Sequence, residues 1–80
     1  MVVVYSINCP ACKILEKKLI NAEIPYRVIL DEEIHKNLGI EIFPMMSLDN
    51  SVSSINDLID YGEARKWIDN EVKKKKDGSN

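Results

Sequence analysis

Two cysteines, Cys9 and Cys12, bracket Pro10 and Ala11 just after a β-branched apolar run, Val2-Val3-Val4-Tyr5. That order constrains the chain more than any other feature, because it demands a strand, a short loop and a helix in succession. The run does not alternate in polarity, as expected for a strand covered on both faces and therefore central in a mixed or parallel sheet. Pro10 suits the first turn of a helix, where its missing N–H and preset φ cost nothing. From there Ala11, Leu15, Leu19 and Ala22 recur at helical spacing and define one inward face. The helix must stop before Pro25, and Tyr26 to Leu30 reads as a second strand.

The later elements follow from caps and turns. Asp31, Glu32 and Glu33 ahead of His35, Lys36 and Gly39 mark a short helix with acidic start, basic end and terminating glycine. Phe43 to Leu48, the turn pair Asp49-Asn50 and Ser51 to Ser54 read as a hairpin. Asn56 caps a helical turn through Asp60, Gly62 interrupts, and Ala64, Trp67, Ile68 and Val72 mark the inner face of a last helix. The expected order is β-α-β-α-β-β-α. A strand, helix and strand in succession favour parallel pairing, which the hairpin extends antiparallel, so the expected fold class is α/β with a four-stranded mixed sheet.

Composition narrows the function classes. With 80 residues, 45% hydrophobic and 30% charged, the chain is expected to form one small domain over residues 1–72 with a flexible Lys-rich tail over 73–80. Its formal charge of −2 leaves no footprint for nucleic acid. No apolar run approaches the roughly 20 residues that span a bilayer, and no secretory pattern precedes Val2; a cytoplasmic chain without membrane partners, monomeric, is the expectation. Tyr5, Tyr61 and Trp67 are expected to pack in the core, as are Met45 and Met46. Lys13 and Lys17 either raise the positive potential beside Cys9 or simply face solvent.

A disulfide between Cys9 and Cys12 would close so small a loop that it adds about 2 kcal/mol at most, so the pair reads as chemistry rather than framework. Cys9 falls at the helix N-cap, where unpaired N–H groups and the dipole stabilise a thiolate, and is the candidate nucleophile. Cys12, one turn further in and less exposed, is the candidate resolving thiol. Such a pair exchanges two electrons with a substrate through a mixed disulfide. Zinc is the specific rival, but His35, the sole histidine, is expected to be solvated, and one chain does not readily complete a four-ligand site. No bound metal is expected.

Tyr5-Ser6 ahead of Cys9-Pro10-Ala11-Cys12, then Ile24-Pro25-Tyr26, and Leu38-Gly39-Ile40 leading to Phe43-Pro44, resemble in order and motif the glutaredoxin and glutaredoxin-like redoxins of the thioredoxin fold, over about residues 2–72. The resemblance implies a minimal thioredoxin fold and a redox-active disulfide in an active-site loop that includes Pro10 and Ala11. It further implies that the Phe43–Pro44 bond is cis, faces the thiols and leaves the Phe43 backbone free to pair with a substrate chain. Asn56 and Asp57 fall at the family's γ-glutamyl site for glutathione. Implied roles are electron transport and redox homeostasis, with disulfide-containing proteins as substrates, ribonucleotide reductase among the candidates, and no permanently bound cofactor.

Departures from the family bear on the electron donor. Ile7 and Asn8 stand where glutaredoxins carry a basic residue, and Glu41 brings the wrong charge where Gln or Arg holds a glutathione carboxylate. Ser53-Ser54 replace a Gly-Gly pair, and Ala11 replaces an aromatic. Glutathione as co-substrate and a thioredoxin reductase as donor both remain open, as does a [2Fe-2S]-binding module in which Cys9 from two subunits joins two glutathione thiols.

Overall fold

The computed structural model describes residues 1–78. Its elements run β1 (Val2–Tyr5), α1 (Pro10–Asn21), β2 (Tyr26–Ile29), α2 (Glu32–Leu38), β3 (Met45–Ser47), a 3₁₀ turn (Ile55–Asp57) and α3 (Tyr61–Gly78). β1 pairs parallel with β2, Val2 opposite Tyr26, and antiparallel with β3, Tyr5 opposite Met45, so the sheet order is β2-β1-β3. All four β1 residues are buried, as their unbroken apolar run requires of a central strand.

Alternation along β1 divides the interior in two. Val2 and Val4 join Leu15 and Leu19 of α1, Met46 of β3 and Ala64 and Ile68 of α3 on one face. Val3 and Tyr5 join Ile40 and Leu58 on the other, with Leu38 and Phe43 packed against them. The inner face of α1 is Cys12, Leu15 and Leu19, continued by Ala22, while Ala11 is only half-buried. A Lys18–Asp69 ion pair at 3.0 Å ties α1 to α3 at the surface. Tyr5 is buried, Tyr61 and Trp67 are half-buried against the first core, and Met46 is fully enclosed with Met45 half-buried.

Local chemistry explains the helix ends. α1 finishes with Glu23 at φ 58°, its N–H donating to the Ile20 carbonyl and that of Ile24 to the Leu19 carbonyl, a Schellman closure with Glu in the seat that usually holds glycine. α2 begins with the Asp31 carboxylate accepting the Glu33 N–H and ends on Gly39 at φ 73°.

Among the described residues the sheet has three strands, not four, and the expected hairpin is absent. Its turn bonds to itself: Asp49 accepts the Ser51 N–H at 2.8 Å, and the Ser47 hydroxyl donates to the Asp49 carbonyl. Ser53 and Ser54, expected in the fourth strand, donate their N–H groups to the Asp57 carboxylate instead, so neither is available to pair with β3. A single antiparallel bridge takes the strand's place, Ile59 exchanging both backbone bonds with Met46 at 2.8 and 2.9 Å. Ser54, not Asn56, caps the turn, and Gly62 lies in the first turn of α3 without breaking it. α3 carries the backbone past residue 72 to Gly78, while residues 79–80 of the expected tail lie outside the described residues. Among the described residues no helix is long and apolar enough to cross a membrane.

Candidate thiol site

The site is assembled where β1 ends. The Ser6 N–H donates to the Ile29 carbonyl at 3.0 Å, extending the β1–β2 pairing by one bond and anchoring the loop that follows. Asn8 turns the chain at φ 59°, a left-handed conformation that Asn tolerates better than most residues, and its N–H reaches back to the Ser6 hydroxyl at 3.0 Å. The backbone then enters α1 with Cys9 as N-cap in an extended conformation and Pro10 at the first helical position. The Cys9 sulfur accepts the Cys12 N–H at 3.2 Å, serving the capping role that an oxygen usually fills.

The two sulfurs are 2.7 Å apart, with Cys9 half-buried and Cys12 fully enclosed. Pro10 is exposed, so the reachable face of the pair is the Cys9 side. Thiols this close titrate as a unit. Burial works against a charge on Cys12, yet four hydrogen bonds outweigh it: from the Cys9 thiol, the Ser6 hydroxyl and the backbone N–H groups of Ile7 and Cys9; its pKa is lowered. Burial and donation to Cys12 raise the Cys9 pKa, against the lowering effect of the Cys12 and Ala11 backbone N–H groups.

This reverses the expectation that helix-start geometry alone makes Cys9 the more acidic thiol. Hydrogen bonding favours the thiolate form of the enclosed sulfur, and burial favours the protonated form of the accessible one. Transfer of that proton across the 2.7 Å contact yields a Cys9 thiolate and a Cys12 thiol, so Cys12 can act as the base that activates its neighbour.

The antiparallel register brings the proline loop to the same end of the sheet. Tyr5 faces Met45, so the residues preceding Met45 continue alongside the loop that leaves Tyr5. There the Phe43–Pro44 bond is cis, Pro44 is fully buried and Phe43 is half-buried. Ile7 of the thiol loop and Phe43 line a common hollow of about 260 Å³ with Ile40 and residues of α2.

Among the described residues, Asn56 and Asp57 share no hydrogen bond with the thiol loop. Both are exposed in the 3₁₀ turn, and their hydrogen bonds stay within the segment: Asp57 accepts from the N–H groups of Ser53 and Ser54 and from the Ser53 hydroxyl, and the Asn56 N–H donates to the Ser54 hydroxyl. Those donors, the Ser53 and Ser54 backbone first, lower the Asp57 pKa. Lys13 and Lys17 are both exposed on α1.

Two residues were not expected at the site. Ser6, fully buried, bonds to both the loop backbone and the Cys12 thiol; its signal was a small polar residue ending a wholly apolar strand. His35, expected to be solvated, is 5% exposed. Its Nε2 bonds the Ile29 carbonyl at 2.9 Å and its ring packs on Phe43, which turns it inward in place of the apolar neighbour Ile34.

No protein-family model matches the chain, and searches of curated proteins and of solved structures return no match.

Proposed function

We propose that the chain is a dithiol, glutaredoxin-like thiol–disulfide oxidoreductase that reduces protein disulfides or mixed disulfides in a cytoplasmic, reducing setting. The observation that carries this reading is the sulfur pair itself: two free cysteines 2.7 Å apart at a helix N-terminus, one accessible and one enclosed. With its proton passed to Cys12, the Cys9 thiolate attacks one sulfur of a substrate disulfide and expels the other as a thiolate, which takes a proton from solvent. Cys12, losing its proton, then attacks the Cys9 sulfur of the mixed disulfide. A Cys9–Cys12 bond forms, the second substrate thiolate leaves, and two electrons have passed from the dithiol to the substrate. The backbone of Phe43 offers hydrogen bonds to the substrate chain in the manner of an added strand, with Pro44 fixing the turn beside it.

For the return of electrons, a thioredoxin reductase is favoured over glutathione by a specific observation. The Ser53 and Ser54 N–H groups already serve the Asp57 carboxylate, which leaves them unavailable to a glutathione carboxylate and sets a negative charge beside them. Exposed Glu41, shortly before Phe43, adds to that repulsion. Ribonucleotide reductase is one candidate substrate of a redoxin fed in this way.

The test compares reduction of the oxidised protein by millimolar glutathione with reduction by NADPH and a thioredoxin reductase. Turnover by the reductase with slow glutathione reduction is expected. Efficient glutathione turnover would reassign the donor, and no reduction by either, with the protein folded, would sink the reading. Cys9→Ser abolishes exchange with disulfide substrates; Cys12→Ser halts at the mixed disulfide with Cys9, which mass spectrometry detects.

A further inference from the structure

The exchange chemistry leaves the enclosed imidazole of His35 unused. An imidazole withdrawn from water needs a partner for its N–H, and here Nε2 lies 2.9 Å from the Ile29 carbonyl oxygen. A carbonyl only accepts, so Nε2 carries the proton. The same oxygen accepts the Ser6 N–H at 3.0 Å, and Ser6 is the residue from which the thiol loop departs. The imidazole also meets Phe43, ring centres 4.7 Å apart and tilted by 60°, and more distantly Tyr5 at 6.3 Å in an edge arrangement. A single side chain of α2 therefore touches the carbonyl that roots the thiol loop and the residue that leads into the cis proline.

We propose that His35 is a positioning residue for polypeptide substrates: held by the Ile29 carbonyl, its ring sets Phe43 at a fixed distance from the thiol loop, so that a chain laid along Phe43 presents its disulfide to Cys9. This rests on the exchange reading given above. Phe43 is the adjustable member of the arrangement. It is half-buried, and it borders the hollow it shares with Ile7, so without the imidazole behind it the ring has space to move. A small disulfide that makes no backbone contact has no use for the distance that His35 maintains; an extended chain does.

Steady-state kinetics on two substrates separate the roles, with a peptide carrying a mixed disulfide in extended sequence and hydroxyethyl disulfide as the small one. His35→Ala is expected to raise KM for the peptide about three- to tenfold, the worth of an aromatic contact, with kcat and hydroxyethyl disulfide turnover unchanged. His35→Gln keeps an N–H for the Ile29 carbonyl but loses the ring, and shows the same rise. His35→Phe keeps the ring and loses the donor, and holds the peptide KM near that of the wild type in spite of a lower melting temperature. An unchanged peptide KM in folded His35→Gln overturns the inference, as does an equal rise in His35→Phe or a parallel loss with hydroxyethyl disulfide. Should His35→Ala fail to fold, the Gln and Phe variants decide. A wild-type protein that reduces neither substrate overturns the exchange reading and this inference together, whereas turnover with no KM shift overturns only the inference.

Discussion

The thiol loop and the serine-rich segment before α3 are both short, irregular and polar, yet they are held in opposite ways. Ser6 to Cys12 is fastened to the sheet at its root by a backbone bond to Ile29, and at its end by a helix whose Leu15 and Leu19 are fully buried. Ser53 to Asp57 hangs on one exposed carboxylate, with Leu58 as the first residue to reach the interior. Reactive groups that must meet within a bond length need the first kind of support, because a displaced sulfur loses its partner. The second kind supplies a closed local network with little coupling to the core.

Removing the support of the thiol loop gives the largest effect. Leu15→Ala empties a fully enclosed position beneath the helix that carries both cysteines, and is expected to destabilise the fold by about 2–5 kcal/mol, read from the denaturant midpoint. Loss of the same stability by truncating exposed Ile55 would erase the contrast between the two segments.

Next come the groups around the sulfurs. Cys9→Ala removes the strongest of the donors that lower the Cys12 pKa, so the Cys12 thiolate should appear at higher pH when followed by ultraviolet absorbance. Ser6→Ala, which removes a weaker donor, moves it the same way by less, and Ser6→Thr restores it. A Cys12 titration indifferent to both changes would mean that these donors do not set its pKa.

The smallest effect belongs to Asp57. Its pKa is lowered below the ordinary 3.8 by hydrogen bonds that only the folded loop provides, so its contribution to stability is fully present above that value and fades as pH falls through the lowered one. Asp57→Asn should therefore leave the melting temperature almost unchanged at neutral pH, speed amide exchange at Ser53 and Ser54, and remove the acid sensitivity of that exchange.

What could be read from the chain tracks how local the causes are. Val2 to Tyr5, Pro10, Cys9 as cap, Asp31 and Gly39 each act through their immediate neighbours, and the elements they imply are present. The fourth strand was misread because Val52 among serines looks like an edge strand, while the competing bonds to Asp57 depend on a carboxylate later in the chain. Apolar spacing alone turns Ile34 and Leu38 inward; His35 is chosen instead because β2 presents a carbonyl and Phe43 a ring, neither adjacent in sequence. The opposite directions in which the two thiol pKa values move depend on Ser6 and on the contact between the sulfurs, both settled only when strand end and helix start meet.

The order β2-β1-β3 leaves one border of the sheet without a neighbour along the whole of Tyr26–Ile29. An open border of this kind is an invitation to self-association, and β2 answers it by brevity and by an exposed guanidinium at Arg27 halfway along. A second molecule approaching there meets a like cation, carried by a residue remote from the sulfur chemistry.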